Sequence, residues 1–122
     1  MRKTVSAPGA KSPARAALTG GVALGDQVIL SGQMAYDPEY DGIPPDMDAA
    51  AQTRAIMEKI GALLASEGLD HGDIVKVTIF LTDIGDLRAM NEVYSSYGRE
   101  PYPARSTVGV TFLAVPNGRV EI

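Results

Sequence analysis

The chain has 122 residues, enough for one apolar core and too few for two, so residues 1–122 are expected to form a single domain. Eleven basic against fifteen acidic residues leave a net charge of −4, which repels a phosphate backbone and removes nucleic acid from the expected partners. With no cysteine, disulfides, thiolate nucleophiles and zinc-thiolate centres are excluded, and no apolar run nears the roughly 18 residues of a membrane span.

The N-terminal segment lacks the apolar block of a secretory signal, so the expected location is the cytoplasm, with no membrane partner. Arg2, Lys3, Lys11 and Arg15 precede the first acid, Asp26, a bias shared with organelle transit peptides. Pro8, Gly9 and Pro13 interrupt any amphipathic helix there, and the segment is read as part of the fold or a lead-in to it. Lys3 to Ala7 forms a short edge strand closed by Pro8-Gly9. Ala17 to Leu24 and Gln27 to Gln33 pair as a hairpin about the tight turn Gly25-Asp26. Prolines 38, 44 and 45, with Gly42, make 37–45 a loop.

Asp46 or Asp48 caps a helix that runs to Glu67 and stops at Gly68. Gln52, Ile56, Ile60, Leu63 and Leu64 form its buried stripe, leaving Arg54, Glu58 and Lys59 in water. The lone histidine, His71, sits in a loop beside Gly72, a setting for a turn residue rather than a metal ligand, and no metal site is expected. Asp73 to Thr82 is a strand with Val75, Val77, Ile79 and Leu81 on one face and Ile74, Lys76, Thr78 and Phe80 on the other. Asp83 or Asp86 opens a second helix whose Leu87, Met90, Tyr94 and Tyr97 recur at core spacing up to Gly98.

Pro101 and Pro103 lead into the strand Ala104 to Phe112, the turn Pro116-Asn117-Gly118 follows, and Arg119 to Ile122 begins a last short strand. Alternation puts Val108, Val110 and Phe112 on the core face and Arg105, Thr107, Gly109 and Thr111 on the other. A guanidinium inside a strand needs an anion, which is either a ligand or one of the chain's own carboxylates. The order β-β-β-α-β-α-β-β predicts an α+β fold, a mixed sheet with two helices packed on one face. Ile74, Phe80, Thr107, Thr111 and Ile29 would then line a bare second face, one that copies of the same chain would cover. Arg105 would thereby lie near a subunit boundary.

Six stretches together resemble the Rid family, the YjgF-type reactive-intermediate deaminases. They are Ser31-Gly32-Gln33, Gln52-Thr53-Arg54, 75–83, Met90-Asn91-Glu92-Val93-Tyr94, 103–108 and Val120-Glu121-Ile122, and the resemblance runs from about Gly21 to the end. It implies a chorismate-mutase-like subunit and a homotrimer with clefts between subunits. It implies hydrolysis of 2-imino and enamine acids to 2-keto acids and ammonia, without metal or organic cofactor. Arg105 would grip the substrate carboxylate, Glu121 would hold or activate water, Ser31 and Thr107 would line the site, and Asn91 would be a structural support on the second helix. Leu18 stands where the deaminase branch has a pocket-closing tyrosine, and Thr107 where many members have cysteine, which leaves the particular substrate open. A trimeric module that binds a small keto acid without turnover, and a relative acting on a larger imine, are the alternative readings. The endoribonuclease activity attributed to some relatives fits a net charge of −4 poorly.

Overall fold

The computed structural model describes residues 1–9 and 17–122. Lys11, Pro13 and Arg15, on which the transit-peptide comparison partly rested, lie outside the described residues. The elements are β1 (Arg2–Val5), β2 (Gly21–Leu24), β3 (Gln27–Leu30), α1 (Ala49–Ala65), β4 (Lys76–Leu81), α2 (Leu87–Tyr97), β5 (Ala104–Gly109) and β6 (Val120–Glu121), with single 3-10 turns at His71–Asp73 and Ile84–Asp86. Their order is the expected one, and so is the α+β class.

Strands β1, β2 and β3 form an antiparallel sheet in that order, and the β2-β3 hairpin turns at Gly25, whose φ of 61° suits a residue without a Cβ. The second sheet has the order β5-β4-β6, with β5 parallel to β4 through the α2 crossover and β6 antiparallel to it. Gln33 and Ile122 exchange two backbone hydrogen bonds, at 2.8 and 3.1 Å, and so join the two sheets edge to edge.

One face of this sheet is packed against the helices. Val77, Ile79 and Leu81 of β4 and Val120 of β6 are buried with Ile56, Met57, Ile60 and Leu64 of α1 and Met90 and Tyr94 of α2. Asp48 caps α1 by accepting from the Ala51 amide at 2.8 Å. Asp86, at the head of α2, makes no cap because Arg119 takes its carboxylate in a fork, Nε to Oδ2 at 2.9 Å and Nη2 to Oδ1 at 3.0 Å. Asp83 instead caps the turn before it, through the Gly85 amide.

Gln52 is fully buried and all its work is with backbone: Nε2 donates to the carbonyls of Met47 and Asn117, and Oε1 accepts from the Arg119 amide. It thereby fastens the turn at Asn117, whose φ of 67° is left-handed, to the first helix. Its carboxamide can meet three backbone groups at once because it has donors and an acceptor on one planar head.

Three expectations about faces change. Val75 lies outside β4 and is 81% exposed, while Ile74 packs against the core, because the turn at His71–Asp73 resets the alternation before the strand begins. Lys59 is half-buried rather than wet, and Nζ donates to the carbonyls of Met34 (2.8 Å) and Tyr36, fastening that loop to α1. Burial lowers its pKa below the ordinary lysine value, with nearby Asp37 acting in the opposite sense. The third change concerns the arginine strand and decides the geometry of the site.

Candidate functional site

In a parallel pair, residues in register share a face. Val77 pairs with Arg105 and Ile79 with Thr107, so Arg105 and Thr107 lie on the helix-covered side, not on the bare one. Val108 pairs with outward Phe80 and is 41% exposed, and Phe112 beyond the strand is 79% exposed. Alternation alone gave the correct pairs of faces but not which face met the helices. The apolar residues of β5 mark the open face because β5 is the edge of its sheet and its helix side is only partly covered.

On that partly covered side Arg105 meets α2. Nη1 donates to Asn91 Oδ1 at 2.6 Å, and Cζ lies 5.1 Å from the centre of the Tyr94 ring. Burial raises the Tyr94 phenol pKa, and the nearby guanidinium opposes the rise. Nε and Nη2 of Arg105 have no partner among the described residues, which leaves one edge of the fork available to a planar anion. Thr107 follows two residues on, and its Oγ1 is buried with no partner among the described residues. A hydroxyl left so is costly, by roughly 1–3 kcal/mol, unless something supplies a bond. From the sequence, Asn91 is expected as a support and Tyr94 as core. Both descriptions hold, but what the two residues support is the arginine, a link visible only once the crossover sets α2 beside β5.

Glu121 belongs to the opposite face. It pairs with Phe80 across β4 and β6, so it points away from the helices. Its carboxylate lies on Gly32 so closely that a Cβ there would stand 2.7 Å from Oε2. Partial burial raises its pKa above the ordinary glutamate value. The glutamate borders a groove of about 1100 Å³ lined, among others, by Leu18, Gly32, Gln33, Tyr36 and Leu63. Ser31 holds one wall of the groove: Oγ donates to the Thr19 carbonyl at 2.6 Å and its amide to that of Gly20 at 2.9 Å, fixing the Leu18 segment against the end of β3.

The five candidate residues therefore fall into two groups within one chain. Arg105 and Thr107 stand on the helix side of the β5 edge, with Asn91 and Tyr94. Leu18 and Glu121 border the groove, which Glu58, Lys59, Ala62 and Leu63 of α1 also line, and Ser31 braces its wall through Thr19 and Gly20. The lone histidine takes no part in either: Nε2 lies 2.8 Å from the Met57 carbonyl and the ring packs on Tyr97. Among the described residues no three of His, Asp and Glu converge as a metal centre requires. No helix among them is long and apolar enough to cross a membrane.

The family described as Endoribonuclease L-PSP matches residues 9–122. Protein DfrA of Myxococcus xanthus is 44% identical over 102 residues, which is 83% of this chain and 76% of that protein. The 2-iminobutanoate/2-iminopropanoate deaminase of Escherichia coli K12 is 37% identical over 119 residues, 93% of this chain and 88% of the relative. The crystal structure of RidA from an Antarctic Psychrobacter superposes with a TM-score of 0.85 at 34% identity, covering 98% of this chain and 94% of that one. Escherichia coli TdcF with bound serine superposes with a TM-score of 0.80 at 35% identity, covering 98% and 93%. With the two-helix mixed-sheet fold, the match across nearly the whole chain shows that this protein belongs to the Rid family, the YjgF-type proteins of the Endoribonuclease L-PSP group.

Proposed function

We propose that the chain hydrolyses small 2-imino or enamine acids to 2-keto acids and ammonia, in clefts where the Arg105 face of one copy meets the Glu121 groove of the next in a closed ring of three. The observation that carries this is the division of the candidate residues. Arg105 and Glu121 lie on opposite faces of one sheet, so a substrate touching both needs a second copy of the chain. An open sheet face bearing Val22, Leu24, Ile29, Phe80 and Val108 supports association, since a contiguous apolar surface gains roughly 25 cal/mol per Å² on burial.

The chemistry asks little of the protein. The imine carbon is already electrophilic, Arg105 grips the carboxylate, and Glu121 holds the attacking water and takes its proton. Glu121 passes that proton to the nitrogen, and as the tetrahedral intermediate collapses to the keto acid the hydroxyl proton is transferred to the same nitrogen, which leaves as ammonia. Relatives named for deamination of 2-iminobutanoate and 2-iminopropanoate, and one crystallised with serine, support a small carboxylate as ligand. Net charge argues against the nuclease activity in the family's description.

The test forms 2-iminobutanoate in situ with an amino-acid oxidase and follows keto-acid release. Wild type should exceed the uncatalysed rate, and Arg105→Ala should keep only on the order of a tenth to a hundredth of that acceleration. Equal rates for both across several imines would end the hydrolase reading. Leu18 on the groove wall, in place of a phenol, favours one second reading, a module that holds a keto acid without turnover. Saturable keto-acid binding with no acceleration would select it.

A further inference from the structure

We propose that Asn91 is a positioning residue whose neutrality matters as much as its hydrogen bond: it orients the Arg105 guanidinium without neutralising it, and so keeps the fork ready for a carboxylate. This rests on the reading of Arg105 as the carboxylate anchor. A guanidinium only donates, so the atom meeting Nη1 must be the amide oxygen, as it is at 2.6 Å. That assignment leaves Nδ2, with its two protons, free of any acceptor among the described residues. The amide therefore turns one end to the arginine and keeps its donors for an approaching anion.

Tyr94 completes the arrangement. It lies three residues on, hence on the same side of α2, and its ring supports the guanidinium at 5.1 Å. Held from the side by an amide and from beneath by a ring, the fork loses rotational freedom before any ligand arrives, and this preorganisation lowers the cost of binding. A carboxylate in place of the amide would keep the hydrogen bond and even shorten it. It would also occupy Nη1 with a charged partner, remove the two amide protons and set a negative charge beside the incoming anion. The chain carries 15 acidic residues, yet the partner of Arg105 is uncharged.

The experiment measures binding of 2-oxobutanoate by calorimetry, so it needs no turnover, with wild type, Asn91→Ala, Asn91→Asp and Arg105→Ala. Each protein is checked for an unchanged circular dichroism spectrum and midpoint. Asn91→Asp should weaken binding by about tenfold or more, and Asn91→Ala by less, of the order of threefold, because it loses orientation but leaves the charge unopposed. A role confined to hydrogen bonding gives the reverse order, since aspartate keeps the bond that alanine loses. Asp binding as tightly as Asn, or more tightly than Ala, overturns the proposal while leaving the anchor reading intact. If wild type and Arg105→Ala bind the keto acid equally, the anchor reading falls and this proposal with it. Tyr94→Leu against Tyr94→Phe provides a second measurement on the platform: the phenylalanine variant should bind like wild type and the leucine variant more weakly.

Discussion

The division of Arg105 and Glu121 between two faces can be tested by mixing two inactive proteins. Arg105→Ala removes a charge-assisted contact of roughly 1.5–3 kcal/mol, which leaves on the order of a tenth to a hundredth of wild-type kcat/KM. Glu121→Ala removes the water-holding carboxylate and should leave a comparable remnant. Equimolar amounts of the two variants are unfolded together and refolded. In any closed ring with one type of interface, a cleft is native when its arginine comes from a Glu121→Ala chain and its glutamate from an Arg105→Ala chain. Random assembly gives that combination in about one cleft in four. Keto-acid release by the mixture should therefore approach a quarter of the wild-type rate, at least twice what either parent retains. Native mass spectrometry verifies that the chains have mixed. A mixture whose heteromers are proven and whose rate stays at the average of the two parents would refute the reasoning, because it would place both groups on one chain at one substrate.

Gly32→Ala should lower kcat several-fold with little change in KM or melting midpoint, because the new Cβ would displace only the end of the Glu121 side chain, which stands 2.7 Å from it. Steady-state kinetics beside a thermal scan check this. Glu121 acts ionised and its pKa is raised by burial, so kcat/KM should climb with rising pH along a limb whose midpoint lies above the ordinary value of 4.5. The same shift has a stability sign: a raised carboxyl pKa favours the protonated form in the fold, so its contribution is present at low pH and lost as pH rises through the folded value. Glu121→Gln should accordingly gain on wild type in urea midpoint as pH increases across that range. Gln52→Leu should destabilise by about 3 kcal/mol or more, since it strands the Met47 and Asn117 carbonyls and the Arg119 amide inside the core, and denaturant titration with an unchanged slope would register it.

Local rules carried much of the fold. Period-two and period-3.6 patterns located β4 and both helices, Gly25 located the hairpin, and Asp46 with Asp48 bracketed the helix start, of which Asp48 is the cap, because each of these depends on neighbours a few residues away. The face of β5 was different. Val108 and Phe112 look like core in sequence, but an edge strand whose open side is apolar follows the opposite assignment, and only the register with Val77 and Ile79 fixes it. Lys59 departs from its pattern for a related reason: its position on the helix points to solvent, but the carbonyls of Met34 and Tyr36, more than twenty residues earlier, close over its amine. The resemblance to known deaminases picked out Arg105 and Glu121 as a pair without indicating that they part company within the chain. The supports of Arg105 at Asn91 and Tyr94 depend on a parallel crossover, which no single stretch encodes.

The crossover gives the two groups different folding histories. Arg105 and its supports lie within one strand-helix-strand run, fourteen residues separating Asn91 from the arginine, so the anchor can form as soon as that unit closes. Glu121 reaches its place only when β6 pairs with β4 at Phe80, a contact that the reciprocal hydrogen bonds between Gln33 and Ile122 then extend to a segment nearly ninety positions earlier in the chain. Loop-closure entropy weighs far more heavily on the second event. Hydrogen exchange should then find the amides of Gln33 and Ile122 opening well before those of β4 and β5, leaving a transient state that still binds a carboxylate but has lost the group that turns it over.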